Sequence, residues 1–216
     1  MEKFTRITGI AAPFPRANVD TDTILPKEFL KTVTRGGLGQ NLFDELRYTA
    51  DGAEKPDFIL NRAPFRAARI LLAGDNFGCG SSREHAVWAL RDFGIRVIIA
   101  PAFADIFYNN CFRNGLLPVM LDPLPLADLT RRAETGTDKT LTVDLGDCTI
   151  SGDGMARLSF TIEPFRRRCL LEGLDEIALS LQNEAAIEAF EAARASRQPW
   201  LAGPITVSDC VKGKKP

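Results

Sequence analysis

The segment Gly74–His85, with the sequence GDNFGCGSSREH, carries the residues of this 216-residue chain that are best suited to chemistry. It combines a glycine-rich turn with the two hydroxyls of Ser81 and Ser82 and the guanidinium of Arg83. The residues after it have helical periodicity, and the free N–H groups and dipole at a helix start attract anions. Arginine can hold a carboxylate through two parallel hydrogen bonds. The pattern therefore predicts a site for a small carboxylate, in which glycines let the ligand approach the backbone closely.

Other anion-binding and hydrolytic motifs do not fit this segment. A Walker A loop needs a lysine that is absent, and a dinucleotide fingerprint starting at Gly78 would need glycine where Arg83 stands. The nucleophile elbow G-x-S-x-G is also absent. Ser81 and Glu84 have the spacing of a helix capping box, which would be a purely structural role. The two interpretations are compatible, because an N-cap serine lies where an anion would bind.

Two other groups of residues could do chemistry. Asp20 and Asp22 lie in NVDTDTILP, where aspartates commonly form turns, and Ile24 prevents completion of a calcium loop. Cys79 and His85 could suggest a thiol nucleophile, but no third orienting residue accompanies them. We therefore expect His85 to be a structural hydrogen-bonding residue.

Apolar runs and helical periodicity predict the elements that position these residues. Strands are expected at 69–73, 95–100 and 116–121, with helices at 83–93 and 103–113 between them. This β-α-β-α-β order predicts an α/β fold with a partly parallel sheet covered on both faces. A weak strand is expected at 4–12, a helix at 124–133, antiparallel strands at 141–145, 148–150 and 158–162, and a helical segment at 170–195 with a second helix starting at Asn183. We predict one domain over 1–197 with a loop-rich segment at 13–60, and a flexible tail at 198–216.

Composition excludes several classes of protein. Lys and Arg number 27 against 28 Asp and Glu, so the net charge of −1 gives no basic excess for general nucleic-acid binding. No apolar run approaches the roughly 20 residues of a membrane span, and the N-terminus lacks a secretory pattern. We expect a cytoplasmic protein that binds neither nucleic acid nor membranes, with free thiols at its five widely spaced cysteines.

Three stretches together carry a family resemblance: LLAGDNFGCGSSREHAVWAL, NVDTDTILPKEF and PAFADIFYNNCFRNGLLPV. From about Phe4 to about Ala193 the chain resembles the small subunits of 3-isopropylmalate dehydratase, in the aconitase superfamily. The resemblance implies a swivelling β/β/α domain. It implies a hydro-lyase of leucine biosynthesis that interconverts 2- and 3-isopropylmalate through 2-isopropylmaleate, and that is active only with a large subunit.

The resemblance also implies roles for individual residues. Ser81 corresponds to the catalytic base, acting as an alkoxide, and Arg83 to the residue that binds a substrate carboxylate. Asp22 belongs to the active site. Ser82 is also expected to bind substrate, because its hydroxyl lies in the turn beside Ser81 and Arg83. Arg35, in KTVTRGGLG, is the match for an arginine in the loop after the DTD motif that also meets the substrate.

Dehydration and rehydration need a base, anion-holding groups and a Lewis acid for the departing hydroxide. This chain offers the first two, but its cysteines form no short-spaced cluster motif and it has one histidine. We therefore expect no metal or cofactor on this chain and a metal-bearing partner. The resemblance implies that this partner is a large subunit with a [4Fe–4S] cluster and that the substrate is a small dicarboxylate. The alternatives are the small subunit of a related hydro-lyase acting on another alkylmalate or homocitrate, and a non-catalytic carboxylate-binding module.

Overall fold

The computed structural model describes residues 1–32, 34–136 and 139–201. The chain divides into two compact units, Met1–Asp175 and Glu176–Pro216. The predicted single domain over 1–197 therefore spans the first unit and part of the second. Most of the predicted flexible tail, from residue 202 onward, lies outside the described residues.

The first unit is built on one seven-stranded sheet. Its strands are β1 Arg6–Phe14, β2 Ala68–Ala73, β3 Val97–Ala100, β4 Leu117–Met120, β5 Thr140–Asp144, β6 Thr149–Gly152 and β7 Leu158–Ser159. Its helices are α1 Thr21–Ile24, α2 Asp44–Arg47, α3 Glu84–Phe93, α4 Asp105–Arg113, α5 Pro123–Thr135 and α6 Pro164–Glu172. The second unit contains α7 Glu176–Leu181 and α8 Glu184–Arg197. Short 3-10 turns occur at Lys27–Lys31, Gly39–Asn41, Ile59–Asn61, Phe65–Ala67 and Pro199–Leu201.

The strand order is β4-β3-β2-β1-β5-β6-β7. Strands β1 to β4 pair in parallel, whereas β5 pairs antiparallel with β1 and continues into antiparallel β6 and β7. The predicted α/β class is confirmed, with its partly parallel central sheet, helices on the faces and a helical C-terminal segment. The four parallel strands all end at one edge of the sheet, which brings the loops that follow them together.

Both faces of the sheet are covered, as the nearly continuous apolar strands predict. Residues of α3 and α4 and of the loop-rich segment pack on one face, around Leu71 and Ile98. Residues of α5 and α6 pack on the other, around Ile70 and Val97. Among the described residues, no helix combines the length and the apolar character needed to cross a bilayer.

The loop-rich segment is held by a buried arginine. Arg47 donates from Nη1 to the carbonyl oxygens of Gly39 at 3.1 Å and Leu42 at 3.3 Å, and from Nε to Asn61 Oδ1 at 3.1 Å. Asn61 Nδ2 donates in return to the Arg47 carbonyl at 2.8 Å. Burial lowers the pKa of Arg47. These hydrogen bonds stabilise backbone that has little regular secondary structure of its own.

The prediction of helix from residue 170 onward is wrong at its start. α6 ends at Glu172, because Gly173 takes a left-handed conformation with φ 75° and terminates the helix. Leu170 and Ile177 therefore belong to different helices rather than to one apolar stripe. Asn183 is confirmed at the start of α8, although its side chain makes no capping hydrogen bond.

Candidate active site

Loops that follow β1, β2 and β3 are joined at the carboxyl edge of the parallel strands. Gly78 N–H donates to the Val19 carbonyl at 2.7 Å, which ties the loop after β2 to the loop after β1. On its other side, Phe77 N–H donates to Ala102 O, and Ala104 N–H donates to Phe77 O, each at 3.1 Å. The glycine-rich turn is thus fixed between its two neighbours.

These loops and the first turn of α4 enclose a cleft of about 210 Å³. Its lining residues are Thr21, Gly78, Gly80, Ser81, Ser82, Arg83, Ala104, Asp105, Ile106 and Phe107. The predicted residues Ser81, Ser82 and Arg83 therefore share one wall. The helices α3 and α4 both begin at this cleft, which adds partial positive charge from two helix starts.

Ser81 is exposed to the cleft and is held through its backbone. The hydroxyl of Thr21 donates to the Ser81 carbonyl at 2.7 Å, and the Thr21 N–H donates to the Cys79 carbonyl at 3.0 Å. Thr21 is only 2% exposed, so this contact is shielded from water. Within the part of the chain that the structure describes, the Ser81 hydroxyl has no hydrogen-bond partner. It is therefore available to a ligand.

The capping-box interpretation of Ser81 and Glu84 is wrong. The N-cap of α3 is Arg83, and no side chain caps the helix. Glu84 instead accepts a hydrogen bond from Asn114 Nδ2 at 2.7 Å. The hydroxyl of Ser81 thus does not cap the N-terminus of α3.

The two aspartates of the DTD motif have different partners and different roles. Asp20 is a turn former: its carboxylate caps α1 by accepting from the Thr23 N–H at 2.6 Å. Hydrogen bonds from the side chain and backbone of Thr23 lower the pKa of Asp20. Asp22 instead forms an ion pair with Arg83. Asp22 thus contacts Arg83 of the cleft wall but does not itself line the cleft.

Two glycines of the turn, Gly74 and Gly78, are required by the packing of the chain, and Gly78 and Gly80 line the cleft. Gly78 has φ 78°, and a Cβ there would lie 2.1 Å from Phe107 Cγ. A Cβ at Gly74 would lie 2.4 Å from the carbonyl carbon of Arg16. Any side chain at these two positions would collide with the protein itself.

Arg35 does not line the cleft. Its guanidinium lies over the Trp88 ring, 5.3 Å from the ring centroid, on the second turn of α3. The His85 ring packs against the same tryptophan at 4.5 Å between centroids, and His85 Nε2 lies 3.2 Å from the Thr32 carbonyl. His85 therefore has the structural role expected of it. Arg35 thus packs against the side of α3 through Trp88, and the structure shows no contact of Arg35 with Asp22 or Arg83.

Two polar residues of the cleft, Thr21 and Asp105, were not predicted from the sequence. Thr21 lies between Asp20 and Asp22 in the sequence. All three side chains are polar, so the sequence does not indicate that Thr21 is the buried one. Asp105 opens α4 and lines the cleft opposite the glycine-rich turn. The sequence does not predict that Asp105 lines the cleft, because this depends on the contact between the loops after β2 and β3.

The described side chains form no group suited to hold a metal ion. Across residues 1–32, 34–136 and 139–201, no three His, Cys, Asp or Glu side chains are grouped closely enough to hold an ion. Cys79, Cys111, Cys148 and Cys169 are free thiols, and Cys210 lies outside the described residues. Burial raises the pKa of Cys111 well above its usual value, so this thiol is poorly suited to bind a metal as thiolate.

Comparison with known proteins gives a consistent picture. Residues 1–124 match the model of the aconitase C-terminal domain, and residues 176–204 match that of the C-terminal domain of 3-isopropylmalate dehydratase small subunits. The 3-isopropylmalate dehydratase small subunit of Paramagnetospirillum magneticum is 58% identical over 201 residues, covering 93% of this chain and 100% of the relative. That of Rhodospirillum rubrum is 59% identical, covering 93% and 97%. A crystal structure of 3-isopropylmalate dehydratase from Methanocaldococcus jannaschii superposes with a TM-score of 0.62 at 26% identity, covering 86% of this chain and 99% of that one.

Proposed function

This chain belongs to the 3-isopropylmalate dehydratase small subunit family, and from that premise we propose how its cleft contributes to a hydro-lyase reaction. The reaction interconverts 2- and 3-isopropylmalate through 2-isopropylmaleate, as a step of leucine biosynthesis. The observation that carries the assignment is the exposed Ser81, tied to buried Thr21 beside the Asp22–Arg83 ion pair.

In this proposal Ser81 Oγ, as an alkoxide, takes the proton from the substrate carbon that lies next to the hydroxyl-bearing carbon. The electron pair of the broken C–H bond forms the double bond of 2-isopropylmaleate, and hydroxide leaves. A serine alkoxide is costly in water, but the nearby Arg83 guanidinium and the starts of α3 and α4 favour a negative charge. Return of the proton and hydroxide to exchanged carbons gives the other isomer.

Arg83 holds a substrate carboxylate in this scheme. Asp22 accepts from one side of the guanidinium and orients it, which leaves other N–H groups of Arg83 for the substrate. Ser82 offers a hydroxyl to the same ligand from the wall of the cleft. Arg35 would reach the substrate only by leaving the Trp88 ring.

The family name implies a large subunit as partner, and we propose that it carries the [4Fe–4S] cluster. That cluster would supply the Lewis acid for the departing hydroxide, because the described residues of this chain form no group suited to hold a metal ion. We assign the assembled enzyme to the cytoplasm, with a small dicarboxylate as substrate.

The test is reconstitution with a cluster-bearing large subunit, followed by hydration of 2-isopropylmaleate measured as loss of ultraviolet absorbance. Ser81→Ala should lower kcat by about 100-fold or more, as expected for loss of a general base. Ser82→Ala is the matched control, because it removes a neighbouring hydroxyl from the same wall, and it should cost far less. A Ser81→Ala enzyme within a few-fold of wild type would show that the base is assigned wrongly. Failure to bind any large subunit would favour a carboxylate-binding module instead.

A further inference from the structure

The cleft is lined by two segments of different chemical character. Ser81, Ser82 and Arg83 offer hydroxyl groups and a positive charge. The start of α4 contributes four further lining residues, which we call the α4 wall: Ala104, Asp105, Ile106 and Phe107. Among the described residues that line the cleft, the three with apolar side chains all belong to this wall. The α4 wall therefore suits a different part of a ligand from the part that Arg83 would hold.

The α4 wall is fixed relative to the glycine-rich turn. The backbone of Phe77 in that turn exchanges hydrogen bonds with Ala102 and Ala104 of the loop before α4. Phe107 is only 2% exposed, and its ring packs edge-on against that of Phe77, with 5.5 Å between the centroids. A wall that is preformed in this way can discriminate between ligands by the shape and charge of the group placed against it.

Ile106 presents apolar surface to the cleft. It lines the cleft and is 52% exposed, so much of its side chain is in contact with water. A single exposed apolar residue on an open surface needs no explanation. Inside the cleft, however, a branched alkyl group of a ligand that covered Ile106 would remove apolar surface of both from water, which favours binding.

Asp105 gives the same wall a negative charge. Its residue is exposed, and its carboxylate forms no ion pair or hydrogen bond with the described residues. Close to this side chain, the full negative charge outweighs the roughly half positive charge of the helix start. A carboxylate group of a ligand placed beside Asp105 would therefore be repelled.

We propose that the α4 wall determines which substituent of the substrate the enzyme accepts, with Ile106 contacting the isopropyl group and Asp105 excluding substituents that carry a third carboxylate. This inference rests on the proposed function, in which Arg83 holds one of the two carboxylates of the substrate. The remaining apolar part of 2-isopropylmalate then matches the remaining apolar part of the cleft lining. Attraction of one substituent and repulsion of another together give more specificity than either alone.

The test uses three maleates that share the reacting double bond and its two carboxylates and differ in one substituent. They are 2-isopropylmaleate, 2-methylmaleate and 2-carboxymethylmaleate, which is cis-aconitate. The enzyme is reconstituted with the large subunit, and circular dichroism verifies that each variant of this chain is folded.

Ile106→Ala tests the apolar contact. We expect kcat/KM for 2-isopropylmaleate to fall by about tenfold and that for 2-methylmaleate by less than about twofold, because only the larger group reaches the lost side chain. Ile106→Val keeps most of the contact and should stay close to wild type. Leu124→Ala is the matched control, because Leu124 is also an exposed apolar residue on the first turn of a helix but does not line the cleft. Unchanged kinetics in Ile106→Ala, or an equal fall for both maleates, would overturn the role of Ile106.

Asp105→Asn tests the excluded charge with little change in size. We expect the inhibition constant of cis-aconitate, measured against 2-isopropylmaleate hydration, to fall by about tenfold, and that of 2-methylmaleate to fall much less. Asp122→Asn is the control, since it removes the same charge from the start of α5 outside the cleft. An unchanged constant for cis-aconitate, or an equal fall for 2-methylmaleate, would overturn the role of Asp105. So would the loss of most 2-isopropylmaleate hydration, because that result would make Asp105 necessary for the reaction itself.

The failure of this inference is distinguishable from failure of the proposed function. A wild-type chain that does not support 2-isopropylmaleate hydration with a large subunit would contradict the function. A wild-type chain that supports it, while the substituent preference is unchanged in Ile106→Ala and Asp105→Asn, would contradict only the role of the α4 wall.

Discussion

The hydroxyl of Thr21 donates a 2.7 Å hydrogen bond to the carbonyl oxygen of Ser81, a residue 60 positions away in the chain. Thr21 is buried and Ser81 is exposed, so the contact fixes an exposed residue from beneath. It also joins the loop after β1 to the loop after β2. The position of the proposed base is thus set by a side chain from another loop.

Replacing Thr21 by valine should keep the shape of the side chain and remove the donor. We expect the free energy of unfolding to fall by about 1 kcal/mol, because the Ser81 carbonyl loses its partner. In the reconstituted enzyme kcat should fall by about tenfold with little change in KM, since Ser81 is displaced while Arg83 is not. Thr21→Ser restores the donor and should recover most of kcat. A rise in KM with kcat unchanged would contradict the positioning role.

Replacing Arg83 by lysine keeps the charge but removes the planar pair of N–H donors. We expect kcat/KM to fall by about 100-fold, which corresponds to about 3 kcal/mol of lost transition-state stabilisation. Arg6→Lys is a suitable control, because Arg6 is an exposed residue at the start of β1 that pairs with Asp144, and its replacement should leave the kinetics unchanged. Equal kinetics for Arg83→Lys and wild type would exclude two-point binding of a carboxylate by Arg83.

Replacing Gly78 by alanine should destabilise the protein more than the same change at Gly37. Both glycines have positive φ, 78° and 86°, but a Cβ at Gly37 meets nothing within 4 Å, whereas one at Gly78 meets Phe107. The backbone cost of about 1 kcal/mol is common to both, and Gly78→Ala adds about 2 kcal/mol from overpacking. Denaturant unfolding measures the difference, and equal losses for the two variants would mean that Phe107 can move aside freely.

Replacing Asp20 by asparagine should change how stability depends on pH in acid. The folded-state pKa of Asp20 is lowered by Thr23, so its charge stabilises the fold above the unfolded-state value of about 3.9. This contribution is lost as pH falls through the lowered folded pKa. Asp20→Asn keeps an acceptor for the Thr23 N–H and should make the acid limb of the unfolding free energy shallower. Asp20→Ala removes the cap as well and should cost about 1 kcal/mol at neutral pH. An acid limb unchanged in Asp20→Asn would contradict this role for the charge.

The regular elements of the sheet could be predicted because their signals are local. Apolar runs indicated β2, β3 and β4, and helical spacing indicated α3 and α4, with Gly94 ending α3 in a left-handed conformation as expected. Two predictions were wrong, the continuous helix from residue 170 and the capping box of α3. In each case a local sequence pattern was compatible with more than one structure. Leu170 to Leu181 has helical spacing, but Gly173 breaks the helix, and the Ser81–Glu84 spacing of a capping box was outweighed by the contact of Glu84 with Asn114.

The sequence by itself determined the chemistry available at the site: a hydroxyl, a guanidinium and carboxylates in recognisable motifs, and a β-α-β frame to carry them. The tertiary structure alone decided which of these groups meet. Asp22 pairs with Arg83 across 61 residues, Thr21 lies beneath Ser81, and Arg35 lies on Trp88 away from the cleft. The physical reason is that parallel strands bring loops from distant parts of the chain to one edge, so contacts there depend on strand order and not on local sequence.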